Sequence, residues 1–140
     1  MSWLNEGDRE IYSGLADALL PEFGVMPSAS SIDPAGKVLG DILTWRPDIA
    51  GDLRRAIDRS RTLPADSALD LLEREDKEAL AALRVAVLGA YYLHPQVMAA
   101  IGYDGQRSRP LDEKEPLDFI DAGLLRPVMQ RGPTWRDPSP

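Results

Sequence analysis

The sequence contains no cysteine and only one histidine, His94. Without cysteine there can be no disulfides, thiolate-held zinc, cysteine-ligated iron–sulfur clusters or cysteine nucleophiles. With one histidine, any histidine-based triad or metal site would have to be built around His94. Positive charge is also scarce: 16 lysines and arginines stand against 23 aspartates and glutamates, for a net charge of -7. Such a surface repels phosphate backbones and lacks the counterion-release term that drives nucleic-acid binding, so no nucleic-acid partner is expected. Long hydrophobic runs are missing too. The longest apolar run, Val85 to Leu93, falls far short of the roughly 20 residues that span a bilayer, and no membrane span is expected. The first eight residues, Met1-Ser2-Trp3-Leu4-Asn5-Glu6-Gly7-Asp8, have no basic n-region, apolar core or twin arginine. A cytoplasmic location is therefore expected, with co-export alongside a partner still compatible. Finally, the 11 glycines are scattered, and no G-x-S-x-G elbow, phosphate loop or G-x-G-x-x-G cradle occurs.

What is present fits one globular, all-α domain. The chain has 140 residues, 44% of them apolar and 28% charged, which is enough to bury a core. Tyr12, Leu15, Ala16, Leu19 and Leu20 recur at helical spacing, predicting a first helix over about 5–20 that Pro21 stops. Residues 22–31, with Gly24, Pro27 and three serines, read as a loop. Asp33 as N-cap with Pro34 at the first helical position predicts a second helix carrying Val38, Leu39, Ile42 and Trp45. After Pro47, Ile49, Leu53, Ala56 and Ile57 form a stripe opposite Asp52, Arg54, Arg55 and Asp58. A short helix near 67–73 leads into a long one over about 76–93, whose main stripe is Leu80, Leu83, Val87 and Tyr91. Its second half has no charge on any face, so it must be enclosed by the domain's own core or by a partner. His94-Pro95 opens a last short helix with Val97, Met98 and Ile101, which Gly102 ends at the left-handed cap position. The expected fold is a compact orthogonal domain of about five to six helices over residues 1–106.

Residues 107–140 read as an extended, proline-rich C-terminal tail. Pro110, Pro116, Pro127, Pro133, Pro138 and Pro140 forbid long regular helices there. Yet Leu117, Phe119, Leu124, Leu125 and Trp135 are too apolar for a solvated linker, so the tail is expected to lie on a partner's surface, the alternative being that it wraps back over the helices of its own domain. Carboxylates are plentiful in Glu73 to Glu78 and Asp112 to Glu115, but their alternation with cations marks solvated faces. His94 beside a proline at a helix start reads as a cap or interface imidazole. The competing reading is a self-contained small helical enzyme using His94 with a nearby carboxylate. Tyr91, Tyr92 and Tyr103 gather around the same corner, and tyrosines are amphipathic anchors that favour interfaces as well as cores.

The run Ala90-Tyr91-Tyr92-Leu93-His94-Pro95-Gln96-Val97, followed by Ile101-Gly102-Tyr103-Asp104-Gly105, resembles the gluconate 2-dehydrogenase subunit 3 family. The first helix, with Glu10, Leu15, Ala16, Asp17, Leu19, Leu20 and Pro21, is similar to that family's opening helix, so the likeness spans about residues 5–106. The resemblance implies a non-catalytic small subunit with no catalytic residue, cofactor site or metal site of its own. It would form a hetero-oligomer with a large flavoprotein of the glucose–methanol–choline oxidoreductase class, which carries FAD and oxidises a sugar, glycoside or polyol. The residues expected to meet that partner are Tyr91, Tyr92, His94, Pro95 and Tyr103, joined by Leu117, Phe119, Leu124, Leu125 and Trp135 of the tail. Many members carry a twin-arginine signal and a few cysteines; this chain has neither.

Overall fold

Asn5 opens the first helix by capping it: its side-chain oxygen accepts the Asp8 N–H at 2.8 Å, satisfying one of the donors a helix start leaves free. The structure is a computed structural model that describes residues 3–32, 34–108 and 121–132. Helices whose whole length falls among the described residues are α1 (Glu6–Leu19), α2 (Lys37–Trp45), α3 (Ala50–Ser60), α4 (Ala65–Glu75), α5 (Lys77–Tyr92), α6 (Pro95–Ala100) and α7 (Arg126–Arg131). Two 3-10 turns, Ser30–Ile32 and Pro47–Ile49, lie between them, Asp121 is also helical, and the described residues contain no strand. The protein is all-α.

The chain divides into two compact units, Met1–Asp104 and Gly105–Pro140. The first holds α1 to α6 and every described residue that is buried, from Leu4 to Val97. α5 is its centre, packed most extensively on α3 and also on α2 and α4. The four apolar positions at helical spacing in α5, Leu80, Leu83, Val87 and Tyr91, all point inward, as do Ile49, Leu53, Ala56 and Ile57 at and after the second 3-10 turn. Full burial of a side chain such as Leu53 or Leu83 contributes about 1.5–3 kcal/mol before ordering costs. Gly89 lets α2 approach: a Cβ placed there would lie 2.9 Å from Ile42 Cδ1.

Two carboxylates tie the helices together. Asp8 has no exposed side-chain surface and accepts from Arg54 at 2.5 Å and Arg61 at 2.6 Å, joining α1 to α3 and its end. The Arg54 guanidinium also lies over the Trp3 ring, 4.8 Å from its centroid. Asp76 caps α5 through the Ala79 N–H at 3.1 Å and accepts from Arg55 at 2.8 Å and Arg59 at 3.2 Å. The hydrogen bond from Arg54 holds the Asp8 carboxyl below its ordinary range against the opposing cost of burial, and Arg55 does the same for Asp76.

Three expectations need correction. α2 begins at Lys37 rather than at Pro34, because Gly36 adopts φ -82° and ψ -147° and interrupts the helical path, leaving Pro34 in a turn; Asp33, the expected cap, lies outside the described residues. α4 runs over Ala65–Glu75, longer than the short helix near 67–73, since Pro64 serves as its N-cap residue and nothing breaks the chain before Asp76. Trp45, grouped with Val38, Leu39 and Ile42 by helical spacing, is 66% exposed because it lies roughly 110° around the helix from the buried Leu39, Ile42 and Leu43. In the second unit, α7 is six residues long and carries Pro127 in its first turn, where a missing N–H costs nothing. None of the described residues beyond Val97 is buried.

Candidate partner-binding face

The end of α5 and the start of α6 are built by caps. Leu93 closes α5 with its N–H on the Gly89 carbonyl at 3.1 Å, and the extended backbone of His94 then begins α6 with Pro95 at its first position. His94 is half-buried, and its Nδ1 accepts the Gln96 N–H at 3.3 Å, so the imidazole caps α6. No carboxylate among the described residues is hydrogen-bonded to it. α6 then ends in a Schellman arrangement: Gly102, at φ 71°, donates to the Ala99 carbonyl at 3.1 Å, and Tyr103 N–H reaches the Met98 carbonyl at 2.8 Å. A side chain other than glycine is strained at that φ, which accounts for Gly102 between Ile101 and Tyr103.

The tyrosines separate. Tyr91 is not on the outer face: it is 2% exposed, and its hydroxyl donates to the Pro27 carbonyl at 2.7 Å, pinning the 22–31 loop to α5. Burial pushes this phenol's pKa up. Tyr92, its edge-to-face neighbour with ring centroids 5.2 Å apart, is 46% exposed. Consecutive residues lie about 100° apart around a helix, and here Ala90 and Tyr91 take the core side while Tyr92 falls past its edge. Tyr103 and Pro95 are exposed. In the second unit Leu124 and Leu125 are exposed, flanking the start of α7, while Leu117, Phe119 and Trp135 lie outside the described residues.

The structure adds residues that the tyrosine cluster did not signal. Val85 and Leu88 are exposed on the same side of α5 as Tyr92, while Ala86, Val87, Ala90 and Tyr91 face the core. The uncharged half of α5 is thus divided between its own core and an uncovered outer stripe. Phe23 and Val25 also project into solvent from a tight turn in which Phe23 and Met26 exchange two backbone hydrogen bonds, 3.1 and 2.9 Å. Only the glycine at position 24, followed by an apolar residue, hinted at that turn.

Nothing in the described residues assembles a reactive constellation. No group of three histidine, aspartate or glutamate side chains there is placed to hold a metal ion. A cavity of about 440 Å³ opens beside Trp3, Arg9 and the start of α2, but its Lys37 and Asp41 pair with each other at 3.2 Å. No helix among the described residues is long and apolar enough to cross a membrane. The sequence matches no protein-family model, no curated protein and no solved structure.

Proposed function

We propose that this chain is the non-catalytic small subunit of a hetero-oligomeric, cytoplasmic oxidoreductase. Its large partner would be an FAD-dependent flavoprotein of the glucose–methanol–choline class acting on a sugar, glycoside or polyol. The observation that carries the binding role is the outer stripe of α5. Val85, Leu88 and Tyr92 stand in solvent on a helix whose other side is the centre of the core. Each of the three keeps less than half of its surface in solvent, so covering what remains would contribute about 1 kcal/mol apiece, and contiguous apolar surface of this kind marks interaction sites. The class of the partner rests on a different support, the resemblance of residues 90–105 to the gluconate 2-dehydrogenase subunit 3 family. His94 fits the same reading in a supporting role, since it caps α6 and so sets the angle at which the Gly102-Tyr103 corner follows α5.

The test is coexpression with a large flavoprotein of that class. The expected outcome is that the flavoprotein is soluble and loaded with flavin when this chain is present, and aggregates or loses flavin when it is absent. Equal yields of active, flavin-loaded large subunit with and without the chain overturn the reading. The same complex separates capping from catalysis at His94. His94→Ala should weaken assembly by about 0.5–2 kcal/mol, the worth of a lost cap, and leave the turnover of assembled complex unchanged. A rate loss of about 100-fold with intact assembly would make His94 a general base instead.

A further inference from the structure

We infer that the outer face of α5 is a seat for a single amphipathic helix of a partner protein, one that carries a lysine or arginine where its end lies over Glu78. The inference rests on reading this face as an interface, and not on the partner being a flavoprotein.

Ala81, Val85, Leu88 and Tyr92 are all exposed and follow one another at steps of four, three and four residues. That is the seam spacing at which two helices interlock side chains along their length. It extends over about three turns, the length of one short helix. Toward its N-terminal end the stripe runs into a shallow cavity of about 270 Å³, lined by Ile49, Ala82 and Val85 with Arg46, Asp48, Asp52 and Glu78 around them.

The charges around that cavity decide the occupant. Arg46 donates twice to Asp48, at 2.8 and 2.7 Å, and Asp52 accepts from Arg55 at 2.8 Å. Glu78 has no cation within ion-pair distance among the described residues. One uncompensated carboxylate therefore marks one end of an apolar seam, which is complementary to a helix with an apolar row and a basic end. Such a charge fixes register and direction more than affinity. A second copy of this chain meets the seam badly. A parallel pairing of two α5 helices sets Glu78 against Glu78, and an antiparallel one carries it toward a region without cations, since residues 85–103 hold no lysine or arginine. An anionic membrane surface is disfavoured by the net charge of -7.

The probe is a pair of synthetic helical peptides about 18 residues long, or five turns, with leucines at alternating three- and four-residue steps. One ends in two lysines and the other in two glutamates, and both are titrated into the full chain at low salt. The lysine peptide should bind at least about tenfold more tightly. Glu78→Lys should reverse that preference, and Leu88→Asp should remove binding of both peptides with the thermal melt unchanged. If Leu88→Asp lowers the melt, Leu88→Gln, which keeps length and helix propensity, takes its place. Equal affinity for the two peptides, or binding of neither, overturns the proposal. So does self-association of the full chain that a substitution at Leu88 abolishes, which would assign the face to a second copy. Failure here alongside a flavoprotein that still needs the chain for solubility would remove this seat and leave the small-subunit reading standing.

Discussion

Two tyrosines show what a residue can and cannot reveal about its surroundings. Periodicity put Tyr12 on the inner stripe of α1, and there it is, with no exposed surface. Nothing in the sequence signals that its hydroxyl has no hydrogen-bond partner among the described residues, or that burial drives its pKa upward. An enclosed, unpaired hydroxyl opposes folding, so Tyr12→Phe should stabilise the protein by about 1 kcal/mol, read as a rise of a few degrees in thermal midpoint. A fall of similar size would mean that the hydroxyl has a partner. Tyr91 is the reverse case. Its neighbours suggested an interface, whereas its hydroxyl has a partner 64 residues away in sequence, the Pro27 carbonyl. A contact between a helix and a distant loop leaves no local pattern to read. Asp8 was hidden for a related reason: an acid in the first turn of a helix reads as a complement to the helix dipole, and its arginines lie on another helix.

For whole elements the sequence was more informative, because stripe and punctuation are both local. The inward rows of α1, α3 and α5, the proline at the first position of α6 and the glycine that ends it were all legible. What failed was the start of α2, where a good Asp-Pro signal lost to the extended conformation of Gly36, and the extent of α4. The close approach of two helices was equally invisible. Gly89 looked like one more small residue in an uncharged run, but it is the point at which Ile42 of α2 meets α5. Gly89→Val should therefore destabilise the domain by about 1–3 kcal/mol, because the branched side chain must displace Ile42 from a packed position. An unchanged or raised thermal midpoint would show that α2 can move aside.

Across the whole molecule, the two carboxylate clusters make stability depend on acidity with a definite sign. Asp8 and Asp76 have folded-state pKa values below the ordinary value of 3.8. Their contribution is complete above that value and is lost as pH falls below it toward the folded-state values. Thermal midpoints should accordingly hold steady from pH 7 to about pH 5, begin to fall below about pH 4 and keep falling to about pH 2. A midpoint indifferent to acid would mean that neither cluster contributes to stability. The same clusters also bear on the order in which the chain folds. Asp76 meets its arginines across 17 and 21 residues, whereas Asp8 meets its own across 46 and 53. Shorter loops close sooner and at lower entropic cost, so α3, α4 and α5 are expected to associate before α1 docks, an order that mutational folding kinetics at Asp8 and Asp76 would check. The outer face of α5 would then exist before the first helix has settled, and a partner recognising that face could engage the chain while it is still folding.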